Sequence, residues 1–305
     1  MVCSIAGCLS EVAVKLNKMS IRKVAIVTGG NKGVGFAIVK GLAEKFDGDV
    51  YLTARNVERG TASLNKLEQD GTKAFFHQLD IDDSGSIEKL RDYIKDKYGG
   101  IDILVNNAGI AFKNAATEPM HLQAKVTIQT NYFGTKQACD ILFPLLKPGA
   151  RVVNVSSSAG FLLNVCGDEP AAGRLRKLLA SSDSTLSVNE LDDLMNQFIK
   201  AAEDGTFKEK GWGGSTYVAS KVGLSALSRI QQRLLEMDER PDIVVNHVHP
   251  GYVDTDMTSH KGPLTIEQGA KSSIYCALLP PNTDIKGQYL WDKCQIVDWV
   301  NGPRP

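Results

Sequence analysis

The sequence predicts an α/β fold, a doubly wound, mostly parallel sheet of seven strands with helices on both faces. Three observations carry that reading. Short apolar runs alternate with helical stretches along most of the chain, the pattern of parallel strands joined by right-handed crossover helices. The first run stops in a cluster of glycines that opens directly into a helical repeat. With 305 residues the chain buries a substantial core without disulfide or metal support, so one domain is the default.

Residues 24–28 form the first apolar run, and residues 34–46 then repeat apolar side chains at helical spacing. A strand at 50–54 precedes a helix near 58–69, and one at 75–79 precedes a helix at 86–98. The fourth strand, at 103–107, leads into one long helix through 122–146. The fifth and sixth fall at 151–156 and 243–248, with a seventh at 287–290. The long interval before Tyr217 breaks this rhythm. It carries a helical pattern at 171–179 and a second helix from Ser187, where Ser187-Val-Asn-Glu190 spells a capping box. Residues 209–215 are too rich in glycine for a helix and read as a loop. The expected organisation is an extension over 1–20, a single domain over 21–300 with a helical insertion at about 161–214, and a tail at 301–305.

Lysine plus arginine and aspartate plus glutamate each number 35, so no excess of positive charge exists to hold a polyanion, and a nucleic-acid partner is excluded as a reading. Six irregularly spaced cysteines read as free thiols in a reducing compartment, which points to the cytoplasm. The first twenty residues hold Lys15 and Lys18 against Glu11 and no arginine, and read as an extension, with a targeting role as the alternative. No stretch approaches eighteen uninterrupted apolar residues, so no membrane span is expected.

Thr28-Gly29-Gly30-Asn31-Lys32-Gly33-Val34-Gly35 combines a tight turn with close backbone access to phosphate. Gly29, Gly33 and Gly35 lack the β-carbon that would block the turn, and the amides opening the next helix supply donors at its positive end. The spacing departs from the plain Gly-x-Gly-x-x-Gly fingerprint and lacks the Gly-Lys-Ser/Thr ending of a kinase-type loop. After the second strand, where a site for an unphosphorylated ribose wants an acid, stands Arg55, with Lys32 in the loop and Arg59 a turn further on. Those charges suit a ribose 2′-phosphate, so the expected cofactor is NADPH/NADP+ rather than NADH. Asp80 and Ile81 end the third strand near the adenine position. Asn106-Asn107-Ala108-Gly109 ends the fourth with amides that brace the backbone.

Ser215-Thr-Tyr217-Val-Ala-Ser-Lys221 places a phenol and an amine one helical turn apart. The lysine is expected to hold the phenol below its ordinary pKa of about 10, so that tyrosine protonates a nascent alkoxide in reduction and takes the proton back in oxidation. Ser156-Ser157-Ser158-Ala159-Gly160 follows the fifth strand, where open α/β sheets place ligands, and spacing alone leaves open which serine faces inward. Asn131, inside an otherwise apolar helix, is read as holding water that feeds Lys221, or else as a satisfied core amide. His247 and His249 share one side of the sixth strand but lack a third ligand. They are read as packing or polar contacts rather than a metal site. Trp212, Tyr252 and Met257 are candidate walls of an apolar substrate pocket, with core or lid packing as the alternative.

Together these motifs resemble the classical short-chain dehydrogenase/reductases, a Rossmann-fold family, and within it the monomeric NADPH-dependent carbonyl reductases. The resemblance runs from about residue 20 to residue 300. Residues 28–35 match its glycine motif, 106–109 its Asn-Asn-Ala-Gly, and Tyr217 and Lys221 its Tyr-x-x-x-Lys. It implies Ser157 as the catalytic serine, Asn131 as the structural and catalytic asparagine, and Pro250, Gly251, Val253 and Thr255 along the nicotinamide and phosphates. The substrates it implies are quinones, aldehydes and ketones, with a monomer produced by the insertion before Tyr217. Alternatives are an NADP-dependent alcohol dehydrogenase acting on a steroid or prostaglandin, and a non-catalytic dinucleotide-binding sensor. Ser158, Ala159 and Tyr252 depart from the usual residues at the pocket edge, so substrate preference is not carried over.

Overall fold

The computed structural model describes residues 22–113, 115–165 and 186–302. The strands are β1 (Val24–Val27), β2 (Asp49–Ala54), β3 (Phe75–Gln78), β4 (Ile101–Asn106), β5 (Leu146–Val155), β6 (Val244–Val248), β7 (Tyr289–Leu290) and β8 (Ile296–Val297). They form one sheet in the order β3-β2-β1-β4-β5-β6-β7-β8. Every pairing is parallel except β7 with β8, an added edge that the sequence reading lacks. Two residues are too few to show a period-two pattern.

Strand β1 shows how the sheet divides the core. Ala25 and Val27 pack into one layer with Leu42 of α1 (Gly33–Lys45), Leu67 of α2 (Val57–Gln69) and Ala270 of α8 (Ile266–Ala277). Val24 and Ile26 pack into the other, with Ile87 and Leu90 of α3 (Ser84–Tyr98). Successive strand side chains point to opposite faces, and with both faces covered all four β1 residues are fully buried.

The long helix expected over 122–146 is instead three pieces. Helix α4 (Met120–Ile128) passes through a π-helical turn at Gln129–Gly134 into α5 (Thr135–Leu142). A 3-10 turn at Phe143–Leu145 follows, and Leu146 already belongs to β5. Pro144 has no amide to continue the helix. The π-helical turn carries Asn131, and such bulges cluster at functional sites.

The capping box stands as expected: the Ser187 hydroxyl accepts from the Glu190 amide and the Glu190 carboxylate from the Ser187 amide, opening α6 (Val188–Glu203). Its stripe of Leu191, Leu194, Met195 and Phe198 joins one core cluster with Ala124 and Ile128 of α4 and Val222 and Ala226 of α7 (Thr216–Leu235). Gly223 on α7 makes this contact possible, because a β-carbon there would strike the Met195 sulfur. The 171–179 helical pattern, the 1–20 extension and the end of the tail lie outside the described residues.

Candidate active site

Strand order reverses between β1 and β4, and the glycine loop sits at that switch point, beyond the carboxyl end of β1. Thr28 donates its amide to Val105 O, while its hydroxyl accepts from the amides of Asn107 and Ala108 at 2.9 and 3.0 Å. The Asn107 amide group returns bonds to the carbonyls of Thr28 and Gly29 at 3.0 and 3.1 Å. The Asn-Asn-Ala-Gly segment therefore braces the loop from below. Gly29 and Gly33 have φ of 63° and 56°, in the left-handed region that favours glycine. At Gly35 a β-carbon would strike the Asn107 amide and the Gly29 carbonyl.

The basic residues divide. Lys32 is tied across the mouth to Asp256 at 2.8 Å, whereas Arg55 and Arg59 are exposed and make no ion pair among the described residues. Arg59 lies in the first turn of α2, capped by Asn56. The tight glycine cradle and these two unengaged guanidinium groups suit a dinucleotide bearing a 2′-phosphate. Of the remaining residues expected near the cofactor, Asp80 is partly buried and accepts from the Asp82 amide, while Ile81 is buried. Val34, Asn31, Pro250 and Gly251 are partly exposed. Val253 is buried and bridges Leu264, and Thr255 stands over Gly33.

Beyond β5 the chain enters the serine segment, and the structure assigns each hydroxyl. Ser156 is buried and meets Ser225 Oγ at 2.7 Å, fastening β5 to α7. Ser157, with extended backbone, is the one whose hydroxyl faces the Tyr217 phenol. Ser158 and Ala159 form the following 3-10 turn. Ser215 caps α7 by accepting from the Val218 amide, which sets Tyr217 in the first turn and Lys221 one turn below it.

Lys221 is 4% exposed, its Nζ donates to Val155 O at 2.8 Å, and it lies 5.8 Å from the centroid of the Tyr217 ring. Burial lowers its pKa to about 8. The Tyr217 phenol departs from expectation: burial raises its pKa, with the Ser157 hydroxyl pulling the other way. Here desolvation outweighs the Ser157 hydroxyl, and the Lys221 ammonium is turned toward the β5 carbonyl. A phenol in that state keeps its proton at neutral pH, as a donor must.

Asn131 accepts from the Ile110 amide at 2.8 Å and donates to the Ile110 carbonyl at 2.9 Å and to Ser220 Oγ at 3.0 Å. Its carboxamide thus substitutes for a backbone partner of the loop after β4. A β-carbon on Gly109 would lie 3.1 Å from Asn131 Oδ1 and 3.6 Å from Lys221 Nζ, so these three positions converge.

At the pocket edge Tyr252 and Met257 are exposed. Trp212 requires correction. It is fully buried and packed on Phe198 at 5.4 Å, so it takes the core alternative and lines no pocket. Sequence reasoning also passed over Tyr289, Trp291 and Trp299, which close the site from behind. Their signal, aromatics at the end of the chain, has no local motif.

Such a site, on such a sheet, defines a nucleotide-dependent oxidoreductase of the doubly wound class. The short chain dehydrogenase family matches residues 23–167. Carbonyl reductase (NADPH) 1 of Homo sapiens is 45% identical over 90% of this chain and 98% of its own length, and that of Rattus norvegicus 47% identical over 92% and 99%. Among solved structures, salutaridine reductase from Papaver somniferum superposes with a TM-score of 0.78 at 31% identity, covering 89% of this chain and all of its own. The chain belongs to the short-chain dehydrogenase/reductase family and stands among its carbonyl reductases.

Proposed function

We propose that the protein reduces the carbonyls of aldehydes, ketones and quinones to alcohols or hydroquinones with NADPH. The observation that carries this reading is the convergence of Ser157, Tyr217 and buried Lys221 beyond the carboxyl end of β5, beside the glycine cradle. Gly29, Gly33 and Gly35 would admit the pyrophosphate to the α1 amides, with Arg55 and Arg59 on the 2′-phosphate. When bound, NADPH supplies the hydride. Ser157 orients the carbonyl oxygen, and Tyr217, protonated at neutral pH, gives its proton to the oxygen as negative charge develops there. Lys221 holds positive charge beneath the phenol, and Asn131 fixes the loop at Gly109 beside it.

A monomer is the proposed state, because α6 covers the α4 and α7 surfaces within the same chain. Among the described residues no helix is long and apolar enough to cross a membrane. The cytoplasm is the proposed location on the cysteine pattern. The test is NADPH oxidation at 340 nm with menadione, isatin, an aromatic aldehyde and a prostaglandin ketone, repeated with NADH. Faster turnover with NADPH is expected. Flat traces across the panel with both cofactors would leave only a dinucleotide-binding protein.

A further inference from the structure

The peptide unit joining Ser157 to Ser158 is gripped at both polar ends by side chains from two neighbouring strands. Its carbonyl accepts from the Tyr289 hydroxyl at 2.6 Å, and its amide donates to His249 Nδ1 at 2.9 Å. Tyr289 lies in β7, and His249 follows β6 directly, with its own amide bonded to Leu290 O at 2.8 Å. Resting on the reading of Ser157 as the catalytic serine, we propose that His249 and Tyr289 are positioning residues that set the direction of the Ser157 hydroxyl by clamping this peptide.

The chemistry of the clamp is constrained on each side. A backbone amide can only donate, so Nδ1 must be the unprotonated ring nitrogen, and the Gly251 amide approaches the same atom at 3.4 Å. Burial agrees, since it lowers the His249 pKa to about 4. Both rings are held in turn. The Tyr289 ring stacks on His247 with centroids 4.8 Å apart and planes 15° from parallel, and the His249 ring meets the edge of Trp291 at 4.4 Å. The clamped peptide matters because Ser157 has left the β5 ladder: the last strand-type bond, from the Ser156 amide to Val248 O, lies one residue earlier. Ser157 has φ −172° and ψ 162°, an extended conformation before a 3-10 turn, and its hydroxyl accepts from the Ala159 amide at 3.1 Å, so the setting of the clamped peptide reaches that oxygen through the turn. A shift of about 1 Å in a reacting group costs up to roughly a hundredfold in rate.

The experiment uses the full chain and five variants: Ser157→Ala, Tyr289→Phe, His249→Leu, His249→Asn and His249→Gln. Asparagine places an acceptor oxygen near the Nδ1 position, whereas glutamine reaches to that of Nε2. Tyr289→Phe removes one oxygen and keeps the ring stack. Menadione reduction and NADPH binding by fluorescence are measured for each. Tyr289→Phe and His249→Leu are expected to lower kcat about tenfold with NADPH affinity unchanged, and His249→Asn, but not His249→Gln, to recover most of it. The proposal is overturned if Tyr289→Phe keeps the parent kcat, or if asparagine and glutamine at 249 behave alike. Loss of kcat in Ser157→Ala with the clamp variants unaffected sinks the clamp alone. Parental kcat in Ser157→Ala removes the serine assignment itself.

Discussion

Replacing Lys221 with methionine should make the cofactor-free protein more stable while removing its activity. The amine is almost wholly buried and its pKa falls from 10.5 to about 8, a displacement equivalent to about 3 kcal/mol against the charged form. The unfolded chain binds this proton more tightly, so below pH 8 the native state carries the full penalty. Between pH 8 and 10.5 the native lysine is already neutral while the unfolded one still holds its proton, so the unfolded state binds more protons and stability rises with pH. Methionine keeps the apolar stem and deletes the charge. It also leaves Val155 O without the Nζ donor, which costs about 1 kcal/mol. The variant is therefore expected to exceed the parent by about 2 kcal/mol at pH 7, with the gap shrinking by about 2 kcal/mol by pH 9.5. Urea unfolding followed by tryptophan fluorescence at both pH values measures this. A gap that does not change with pH would refute the reasoning, whatever its sign.

Tyr217→Phe removes the proton donor but no backbone contact, so kcat should fall by roughly 10²–10⁴ while NADPH binding stays within about threefold; a 340 nm assay paired with fluorescence titration separates the two. Arg55→Asp replaces an exposed guanidinium with an acid suited to free ribose hydroxyls. It should lower kcat/KM for NADPH about 10- to 100-fold and narrow or reverse the preference over NADH, as expected for losing charge-assisted bonds of about 1.5–3 kcal/mol. Gly35→Ala drives a β-carbon into the Asn107 amide and the Gly29 carbonyl, so NADPH binding should be lost together with several degrees of Tm, read by thermal denaturation with and without cofactor.

What was legible in the sequence is what neighbours in the chain decide. The glycine turn, the Tyr217–Lys221 spacing, the Ser187 capping box and the six longer strands are each spelled by residue types and spacings within a short stretch of chain, and each stands in the structure. The errors lie where distant segments decide. The expected long helix is interrupted at the turn where Asn131 bonds Ile110, twenty-one positions away, and no local pattern encodes that partner. Trp212 stood open between pocket wall and core, and Phe198 on α6 decides it for the core. The direction of the Tyr217 shift was misjudged for a related reason. Sequence gives the lysine's distance along the helix but not the desolvation around the phenol, nor the carbonyl that draws the ammonium aside.

The same long-range packing explains why α7 can lie so close to the fifth strand. Gly160, Ser156 and Ser225 are small where α7 crosses the end of β5, and a β-carbon on Gly160 would strike the Ser156 hydroxyl and the Lys221 carbonyl. That approach lets the Lys221 amine reach Val155 O, and so fixes it below Tyr217. It also strips the amine of water, which lowers its pKa. Position and destabilisation have one cause: a looser seam would relieve the buried charge and release the lysine from its place beneath the phenol. The apolar cluster of α4, α6 and α7 packs α7 from the same chain, and burial at about 25 cal/mol per Å² offsets a penalty of this size with little more than 100 Å². Helix α6 is thus part of what keeps α7 pressed onto the strand.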